Sequence, residues 1–551
     1  MGEAGTEEGA MGKPTVAVIG AGPSGLSVTK NLLEAGDFDI TIIEKRGEVG
    51  GVWSYCEDET TTSTLKMTVS NVSKFGNSFT DFPIPDEMPP HLTAAQTCDY
   101  IKSYAKHFDL EKYVQFNTSV KWIQRNSEDT KWQLCLGNEK GEEIRDFDKL
   151  VVCNGLTGRA TTPKIEGIEN FKGKSLHVQA FKRPDAFKGE RVLVLGIGNS
   201  AADTSTQLIG HASKIYLSHR GGVKILPRIV EGIPLDLVIN RQLNLAKFFL
   251  DKHFSRLSRW MFDYTIEGHS KKAFPNLDPS WRLSPAPSLA NHQPVISDNL
   301  VNSLREQKIT SVQGIKRFLG EKEVELSDGT KLEIDTVIFC TGYEPDFSLF
   351  RDYDPFAPTS TNNISSDKPD LDLQTQEPRL AHLYQNIFPP SYASSLAFFN
   401  YAALTDGALT VIDLVSMALS QIWKPTNPYP LPSPSSMAQS IAAHHVWVRS
   451  LTRNGEDTVY TGIVRPAPYY NFLNEAAGTG VDDFLGYGRK GWAFWWRDRK
   501  MRGLMMTGVM TPFMYRFFEV EGREGREGRK RWEGAREAIL HANELAKAYK
   551  H

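Results

Sequence analysis

One stretch near the N-terminus constrains the fold of this chain more than any other. It begins with the apolar run Val16–Ile19, continues through Gly20, Gly22 and Gly25, and ends with a second apolar run that stops at Glu44. The spacing G-x-G-x-x-G between a strand and a helix predicts a dinucleotide-binding turn. An acid at the end of the second strand is placed to hydrogen-bond a ribose hydroxyl. The alternative is a glycine turn with a structural role only.

Each residue of this turn has a separate expected role. Gly20 allows the tight turn, Gly22 lets a pyrophosphate approach the backbone, and Gly25 lets the helix pack closely on the strand. Pro23 and Ser24 are expected to begin that helix, so that the positive end of its dipole faces the phosphates.

A second glycine pair follows the Glu44 strand. It lies in the segment Gly50-Gly51-Val52-Trp53. We predict that Gly51 and Trp53 belong to the cofactor site, because glycine lets backbone pass close to a ligand. The alternative is an ordinary turn.

A second dinucleotide signature begins with the predicted strand Arg191–Leu195. A G-x-G-x-x-A turn follows it and leads into a predicted helix. Its residues are Gly196, Gly198, Asn199, Ser200 and Ala201. The next strand ends at Arg220, in the place that Glu44 occupies in the first unit. An arginine there suits a 2′-phosphate, whereas an acid selects a free ribose hydroxyl. The first site is therefore predicted to bind FAD or NAD and the second NADP; the alternative for Arg220 is a solvated surface charge.

Composition narrows the function classes. The chain has 551 residues, 40% of them hydrophobic, and a formal net charge of −3. This near-neutral charge argues against nucleic acid as a partner. The five cysteines are scattered and lack C-x-x-C spacing, so neither a disulfide framework nor a metal site is expected. The polar, acidic N-terminus is not a secretory signal, so we expect a cytoplasmic protein.

Two later segments raise the question of a membrane surface. A helical insertion at about 234–271 places Leu250, Phe254, Leu257 and Met261 on one face, with basic residues opposite. We favour packing of this face on its own domain over contact with a membrane surface. The apolar core of 492–518 is too short to span a bilayer, and the repeated Glu-Gly-Arg of 521–529 is predicted to be flexible and solvated.

Between the two signatures lies a segment that resembles a family fingerprint. Phe171, Gly173, His177 and Phe181 match the pattern F-x-G-x-x-x-H followed by an aromatic residue, which is typical of the flavin-containing monooxygenases. Gly342, within Thr-Gly-Tyr at the end of a predicted strand, resembles that family's late ATGY element. The related Baeyer–Villiger monooxygenases have Trp, then Pro or Asp, where this chain has Phe and Lys.

The resemblance implies a fold, cofactors and a reaction. FAD would bind the first unit and NADPH the second, and the reduced flavin would form a C4a-hydroperoxyflavin with O₂. This species would oxygenate a soft nucleophile, N or S, of a small lipophilic substrate. Asn71 resembles the family asparagine beside the flavin, which makes it the candidate catalytic residue; its alternative is an Asx-turn. For His177 we favour a bridge between backbone groups over direct catalysis.

We therefore predict an α/β protein with two Rossmann-like dinucleotide-binding domains, the FAD domain being discontinuous and the NADP domain inserted in it. The expected limits are 14–175 for the first part, 176–324 for the NADP domain, and 325–545 for the FAD completion and C-terminal helical region. The alternative activity is Baeyer–Villiger oxidation of a ketone, while a disulfide reductase is disfavoured by the missing C-x-x-C. Peripheral attachment to an intracellular membrane and a homodimer are left open.

Overall fold

The computed structural model describes most of the chain. The described residues are 12–36, 38–289, 292–357, 379–403, 406–425, 429–451, 461–519, 529 and 531–549. Most of the Glu-Gly-Arg repeat, 521–528, lies outside them, as does much of the polar segment at 353–377.

Two five-stranded parallel sheets form the framework. The first has the strand order Leu396–Phe398, Lys149–Val152, Thr15–Ile19, Asp39–Ile43, Val114–Gln115. The second has the order Thr310–Gln313, Lys214–His219, Arg191–Leu195, Thr336–Phe339, Lys174–His177. All strands of the second sheet fall within the gap between Val152 and Leu396, so the second unit is inserted in the first. The predicted α/β class with two Rossmann-like units is confirmed.

The second sheet extends past the predicted limits of 176–324. Its outer strand begins at Lys174, and Thr336–Phe339 pairs with Arg191–Leu195 rather than with the first sheet. The strand Thr336–Phe339 is buried at every position, and its apolar sequence suits a central strand of either sheet. Sequence alone therefore could not assign it to one sheet.

Each unit also carries a three-stranded antiparallel meander. The two meanders consist of Ser119–Arg125, Trp132–Asn138 and Gly141–Phe147, and of Ile315–Phe318, Glu323–Leu326 and Lys331–Glu333. Three short pairs complete the strands: Arg159–Ala160 with Tyr343–Glu344, Ile225–Leu226 with Val295–Ile296, and Ile229–Val230 with Ile233–Pro234.

Helices cover the sheets and build the C-terminal region. The α-helices are Pro23–Ala35, Ala94–His107, Asn199–Gln207, Arg241–His253, Ser255–Ala273, Leu300–Arg305, Ala408–Trp423, Pro434–Leu451, Pro466–Ala477, Val481–Phe484, Arg489–Arg497, Arg499–Thr507 and Ala535–Lys547. The helix Ala94–His107 begins with a reciprocal capping box between Thr93 and Gln96. The helix Ala408–Trp423 packs on Pro23–Ala35, where Asp413 accepts hydrogen bonds from Ser27 and Asn31.

Two predictions about exposure are wrong. The amphipathic helix of the insertion is broken at Phe254, and Phe254, Leu257 and Met261 are exposed instead of packed on their own domain. Arg529, predicted to be solvated, is buried and pairs with Glu519 at 2.9 Å. It also donates to Asn31 at 2.7 Å, which ties the end of the repeat to the first nucleotide helix.

Candidate cofactor and oxygenation site

The first nucleotide turn, Gly20–Gly25, is built around backbone that has no room for side chains. Gly20 has φ +102°, and a Cβ there would lie 2.7 Å from the carbonyl oxygen of Cys153. A Cβ on Gly25 would lie 1.9 Å from the Gly20 carbonyl oxygen, so the helix and the turn are in direct contact. Pro23 and Ser24 form the first turn of the helix, which no side chain caps. Its leading N–H groups suit a phosphate.

Gly22 meets backbone from the second glycine pair. A Cβ on Gly22 would lie 3.3 Å from the Cα of Gly51, and one on Gly51 would lie 2.8 Å from the Cα of Gly22. Gly51 begins a short 3-10 helix that ends at the half-buried Trp53. The backbone of the two glycine segments therefore lies in close contact and forms one cradle.

Glu44 lies buried beside this cradle. Its carboxylate accepts from the backbone N–H of Ala21 at 2.7 Å and from that of Arg46 at 2.8 Å. Each carboxylate oxygen has a second lone pair, so Glu44 can brace the turn and still accept from a ribose hydroxyl.

Sequence reasoning missed Arg46. Its guanidinium donates to the carbonyl oxygens of Gly51 at 3.1 Å and Ser54 at 2.8 Å, and to the Ser54 hydroxyl at 2.9 Å. Arg46 thus fixes the segment that covers Gly22. Only its place two residues after Glu44 could have drawn attention to it.

The second nucleotide turn, Gly196–Ala201, has a similarly tight first glycine but more open space around its second. Gly196 has φ +130° and a Cβ there would lie 2.4 Å from the carbonyl oxygen of Cys340, whereas one on Gly198 would meet nothing within 4 Å. Asn199 and Ser200 begin the helix, and Asn199 accepts from the backbone N–H of Ile296 at 2.8 Å.

Arg220 stands exposed just past the strand Lys214–His219. Its side chain crosses Gly314, where an added Cβ would lie 2.8 Å from the Arg220 Cγ. Its guanidinium makes no hydrogen bond or ion pair with the residues that the structure describes, so the charge is available to an anion.

Asn71 lies on an exposed loop of the first unit, where a buried arginine of the second unit holds it. Arg228 donates to the Asn71 side-chain oxygen at 2.9 Å and to the carbonyl oxygens of Val69 and Ser70 at 3.0 and 3.1 Å. Arg228 is paired with Asp298 at 2.9 Å. Because a guanidinium only donates, this contact turns the Asn71 NH₂ group away from Arg228. No sequence motif pointed to Arg228.

Further polar groups surround that loop. Asp236 of the insertion accepts from the Ser73 hydroxyl at 2.6 Å. Asp203, on the second nucleotide helix, is largely buried, and this burial raises its pKa to about 6, against the opposing charge of Arg228. The second unit therefore contacts both ends of the Ser70–Ser73 loop.

His177 and Gly342 meet each other. The His177 Nε2 donates to the Gly342 carbonyl oxygen at 3.0 Å, and its Nδ1 accepts from the Gln179 backbone N–H at 3.2 Å. Burial lowers the pKa of His177. Both ring nitrogens are thus occupied by backbone, as the bridging interpretation predicts, and Gly342 turns at φ +89°.

The described residues also bear on metal binding and on membrane-spanning helices. Among them no cluster of His, Cys, Asp and Glu is arranged to bind a metal ion. None of the helices that can be described is both long and apolar enough to cross a bilayer.

The chain is similar in sequence to several known monooxygenases. The chain is 37% identical to monooxygenase aurF of Gibberella zeae over 97% of this chain and 98% of that protein. It is 28% identical to human flavin-containing monooxygenase 5, over 96% of this chain and 92% of that one. It is 29% identical to rat dimethylaniline monooxygenase [N-oxide-forming] 4, over 95% and 86%.

Solved structures share the fold. S-allyl-L-cysteine S-oxygenase from Allium sativum superposes with a TM-score of 0.60 at 19% identity, over 97% of this chain and 99% of that one. Cyclohexanone monooxygenase bound to ε-caprolactone gives a TM-score of 0.58 at 15% identity, over 86% and 99%. A family model, flavin-binding monooxygenase-like, matches residues 13–550. The two glycine turns, the unpaired Arg220 and this match together make the chain a member of the flavin-binding monooxygenase-like family, whose cofactors are FAD and NADPH.

Proposed function

We propose that this chain is an NADPH- and O₂-dependent monooxygenase that oxygenates a nitrogen or sulfur atom of a small lipophilic substrate. FAD would be held by Gly20, Gly22, Gly25, Glu44 and the Gly51–Trp53 segment, and NADPH by the second nucleotide turn and Arg220. When bound and reduced, the flavin supplies the oxygen-activating chemistry. The chain's own residues bind, orient and shield the cofactors.

One observation carries the proposal: Asn71 is connected to the start of the second nucleotide helix. Arg228 contacts Asn71 and pairs with Asp298, and Asp298 lies two residues after Ile296, which donates to Asn199 at that helix start. A side chain from the FAD unit is thereby connected, through Arg228 and Asp298, to the segment that contacts the second nucleotide turn.

The orientation of Asn71 suggests its task. Its side-chain oxygen is occupied by Arg228, whereas its NH₂ group makes no hydrogen bond to the residues the structure describes. A preorganised donor at the meeting point of two cofactors can stabilise an oxygen atom that carries developing negative charge. Because Arg228 is buried and ion-paired, the loop cannot easily turn the amide over.

Baeyer–Villiger oxidation of a ketone is the second candidate. It is favoured by the shared fold with cyclohexanone monooxygenase, which is a likeness of fold alone. Against it stand Phe181 and Lys182 in place of the Trp and Pro or Asp of that group. Phe181 is buried and stacks on Phe187, while Lys182 donates to the Thr61 carbonyl oxygen at 2.7 Å. The N-oxide-forming rat relative, similar along nearly its whole length, favours the nitrogen or sulfur reaction.

The experiment compares Asn71→Ala with Asn71→Asp. Both remove the NH₂ donor, but aspartate keeps an oxygen for Arg228 and so keeps the loop in place. We expect both variants to oxidise NADPH while hydrogen peroxide replaces oxygenated product. A lost bond of this kind costs about 1.5–3 kcal/mol, so coupling should fall by roughly ten- to a hundredfold.

The measurement follows NADPH, peroxide and product in one assay, over amines, sulfides and ketones analysed by mass spectrometry. If Asn71→Asp stays coupled and only Asn71→Ala fails, the residue holds the loop and is not the donor. Ester or lactone products without N- or S-oxides would support the Baeyer–Villiger alternative.

A further inference from the structure

We infer that Arg282, together with Arg220, binds the 2′-phosphate of NADPH and is a second residue that selects NADPH over NADH. The inference rests on the proposed role of the second nucleotide turn and deepens it. No sequence motif points to Arg282, which lies in the connection between the insertion and the strand Thr310–Gln313.

Arg282 has an unusual backbone conformation. Arg282 has φ +53° and ψ +36°, a left-handed conformation that glycine or asparagine adopts at lower cost. It ends the short 3-10 helix Pro279–Trp281, which Asp278 caps by accepting from Ser280 at 2.8 Å. Strained conformations of this kind concentrate at functional sites, where the surroundings enforce them.

The surroundings place this segment at the carboxyl end of the strand Lys214–His219. A Cβ on Gly222 would lie 2.5 Å from the Leu283 carbonyl oxygen, and the Val223 backbone N–H donates to the same oxygen at 3.0 Å. The chain after Arg282 therefore crosses directly over the residues that follow Arg220. In a Rossmann unit, this edge receives the adenosine ribose.

A buried histidine fixes the other side of the segment. The Ser311 hydroxyl donates to the Trp281 carbonyl oxygen at 2.9 Å and lies 2.9 Å from the Nε2 of His219. Burial, and to a smaller extent the charge of Arg282, lowers the pKa of His219. Arg282 is thus close enough to the end of this strand for its charge to act there.

The charges of Arg282 and Arg220 also favour a phosphate site. Arg282 is half-buried, and within the described residues its guanidinium makes no hydrogen bond or ion pair, which is also true of Arg220. Asp328 is an acid whose pKa is lowered by hydrogen bonds from Thr330 and, to a smaller extent, by the charge of Arg282. Since Asp328 does not pair with either arginine, two cations remain to meet a phosphate monoester, whose charge is between −1.5 and −2 at neutral pH. Planar guanidinium groups suit phosphate oxygens better than ammonium groups do.

The test uses the FAD-loaded enzyme and two ligands without a nicotinamide ring, 2′,5′-ADP and 5′-AMP, with binding measured by calorimetry. Arg282→Gly should weaken 2′,5′-ADP by about tenfold and leave 5′-AMP unchanged. Glycine also relieves the left-handed backbone, so the thermal midpoint should stay level or rise; a residue with a structural role would give the opposite. Arg282→Lys keeps the charge and should recover part of the affinity.

Arg220→Ala is the matched variant and separates the possible failures. If Arg220→Ala loses the preference for 2′,5′-ADP but Arg282→Gly retains it, the inference about Arg282 is wrong and the NADPH site stands. If the unmodified enzyme binds both ligands equally, the assignment of Arg220 fails as well. An equal loss for both ligands in Arg282→Gly would also overturn the inference, because the 2′-phosphate would not be what the residue senses.

Discussion

The two nucleotide turns begin with a glycine in the same backbone conformation, but they differ in how closely other backbone packs around them. In both, the first glycine has a positive φ and no room for a Cβ, because the carbonyl oxygen of the residue just after the neighbouring strand is too close. In the first turn Gly25 touches the Gly20 carbonyl and Gly51 covers Gly22. In the second, Ala201 already carries a Cβ and Gly198 faces open space.

This difference matches the two kinds of ligand that the family uses. The first turn is braced by the buried Glu44 and covered by a segment that Arg46 fixes, which suits a cofactor that stays bound. The second turn is uncovered, and its charge, Arg220, is exposed, which suits a cosubstrate that must enter and leave. The predictions below test this contrast, from the largest expected effect to the smallest.

Gly25 and Ala201 end the two turns, and substituting them should have very unequal effects. Gly25→Ala places a Cβ 1.9 Å from the Gly20 carbonyl oxygen, so the helix must move away from the turn. We expect protein without flavin or no soluble protein at all. Ala201→Gly, the matched change, should cost only about 1 kcal/mol of helix stability and keep flavin.

The measurement is the flavin absorbance per polypeptide, together with the thermal midpoint. A yellow Gly25→Ala variant with full flavin content would show that the first turn is not the tight one, and the contrast would be lost.

The two nucleotide helices also differ in a buried polar position. Ser27 of the first helix donates to Asp413 at 2.7 Å, whereas Asp203, at the equivalent position of the second, is largely buried and its pKa is raised from 3.8 to about 6. The folded state therefore binds the proton more tightly than the unfolded state does. Stability is lost as the pH rises from about 4 to 6, by up to about 3 kcal/mol.

Asp203→Asn should therefore be more stable than the unmodified chain at pH 7.5, and the gain should vanish near pH 4. Denaturant unfolding at several pH values measures it. A gain that is the same at every pH would mean that burial of the carboxylate is not its cause.

The insertion of the second unit exposes a group of apolar side chains, and we propose that it gives weak contact with anionic membranes. Phe249, Phe254, Leu257 and Trp260 are exposed, with Arg256 and Arg259 between them. This combination is typical of interfacial helices. We expect partial, salt-sensitive sedimentation with anionic vesicles, reduced by Trp260→Ser.

Ile144→Ser is the control, because Ile144 is similarly exposed on a meander strand of the first unit. Equal sedimentation of both variants and the unmodified protein would exclude the insertion as the contact surface. Recovery entirely in the supernatant at low salt would remove the membrane proposal.

Local patterns carried most of the fold prediction. Strand, glycine turn, helix and second strand are contiguous in sequence, so their spacing alone predicted both nucleotide turns. The meander strand Gly141–Phe147 escaped prediction because its side chains are mostly exposed and polar, so no apolar alternation marks it.

Contacts between distant parts of the chain could not be predicted in the same way. Arg529 sits in a repeat of charged residues and glycine, whose composition is that of a solvated segment. It is buried because Glu519, Glu34 and Asn31 surround it, and two of these lie at the other end of the chain. A buried arginine needs such partners, and composition does not report them.

The sequence by itself determined the two nucleotide turns, their order, and the places of Glu44 and Arg220 after the second strand of each unit, because a turn that needs glycine is specified within a few residues. Only the tertiary structure decided that Gly51 covers Gly22, that Arg228 orients Asn71, and that Arg282 lies beside the end of the strand before Arg220. Each of these joins segments far apart in the chain, whose approach depends on how the two sheets and the insertion pack.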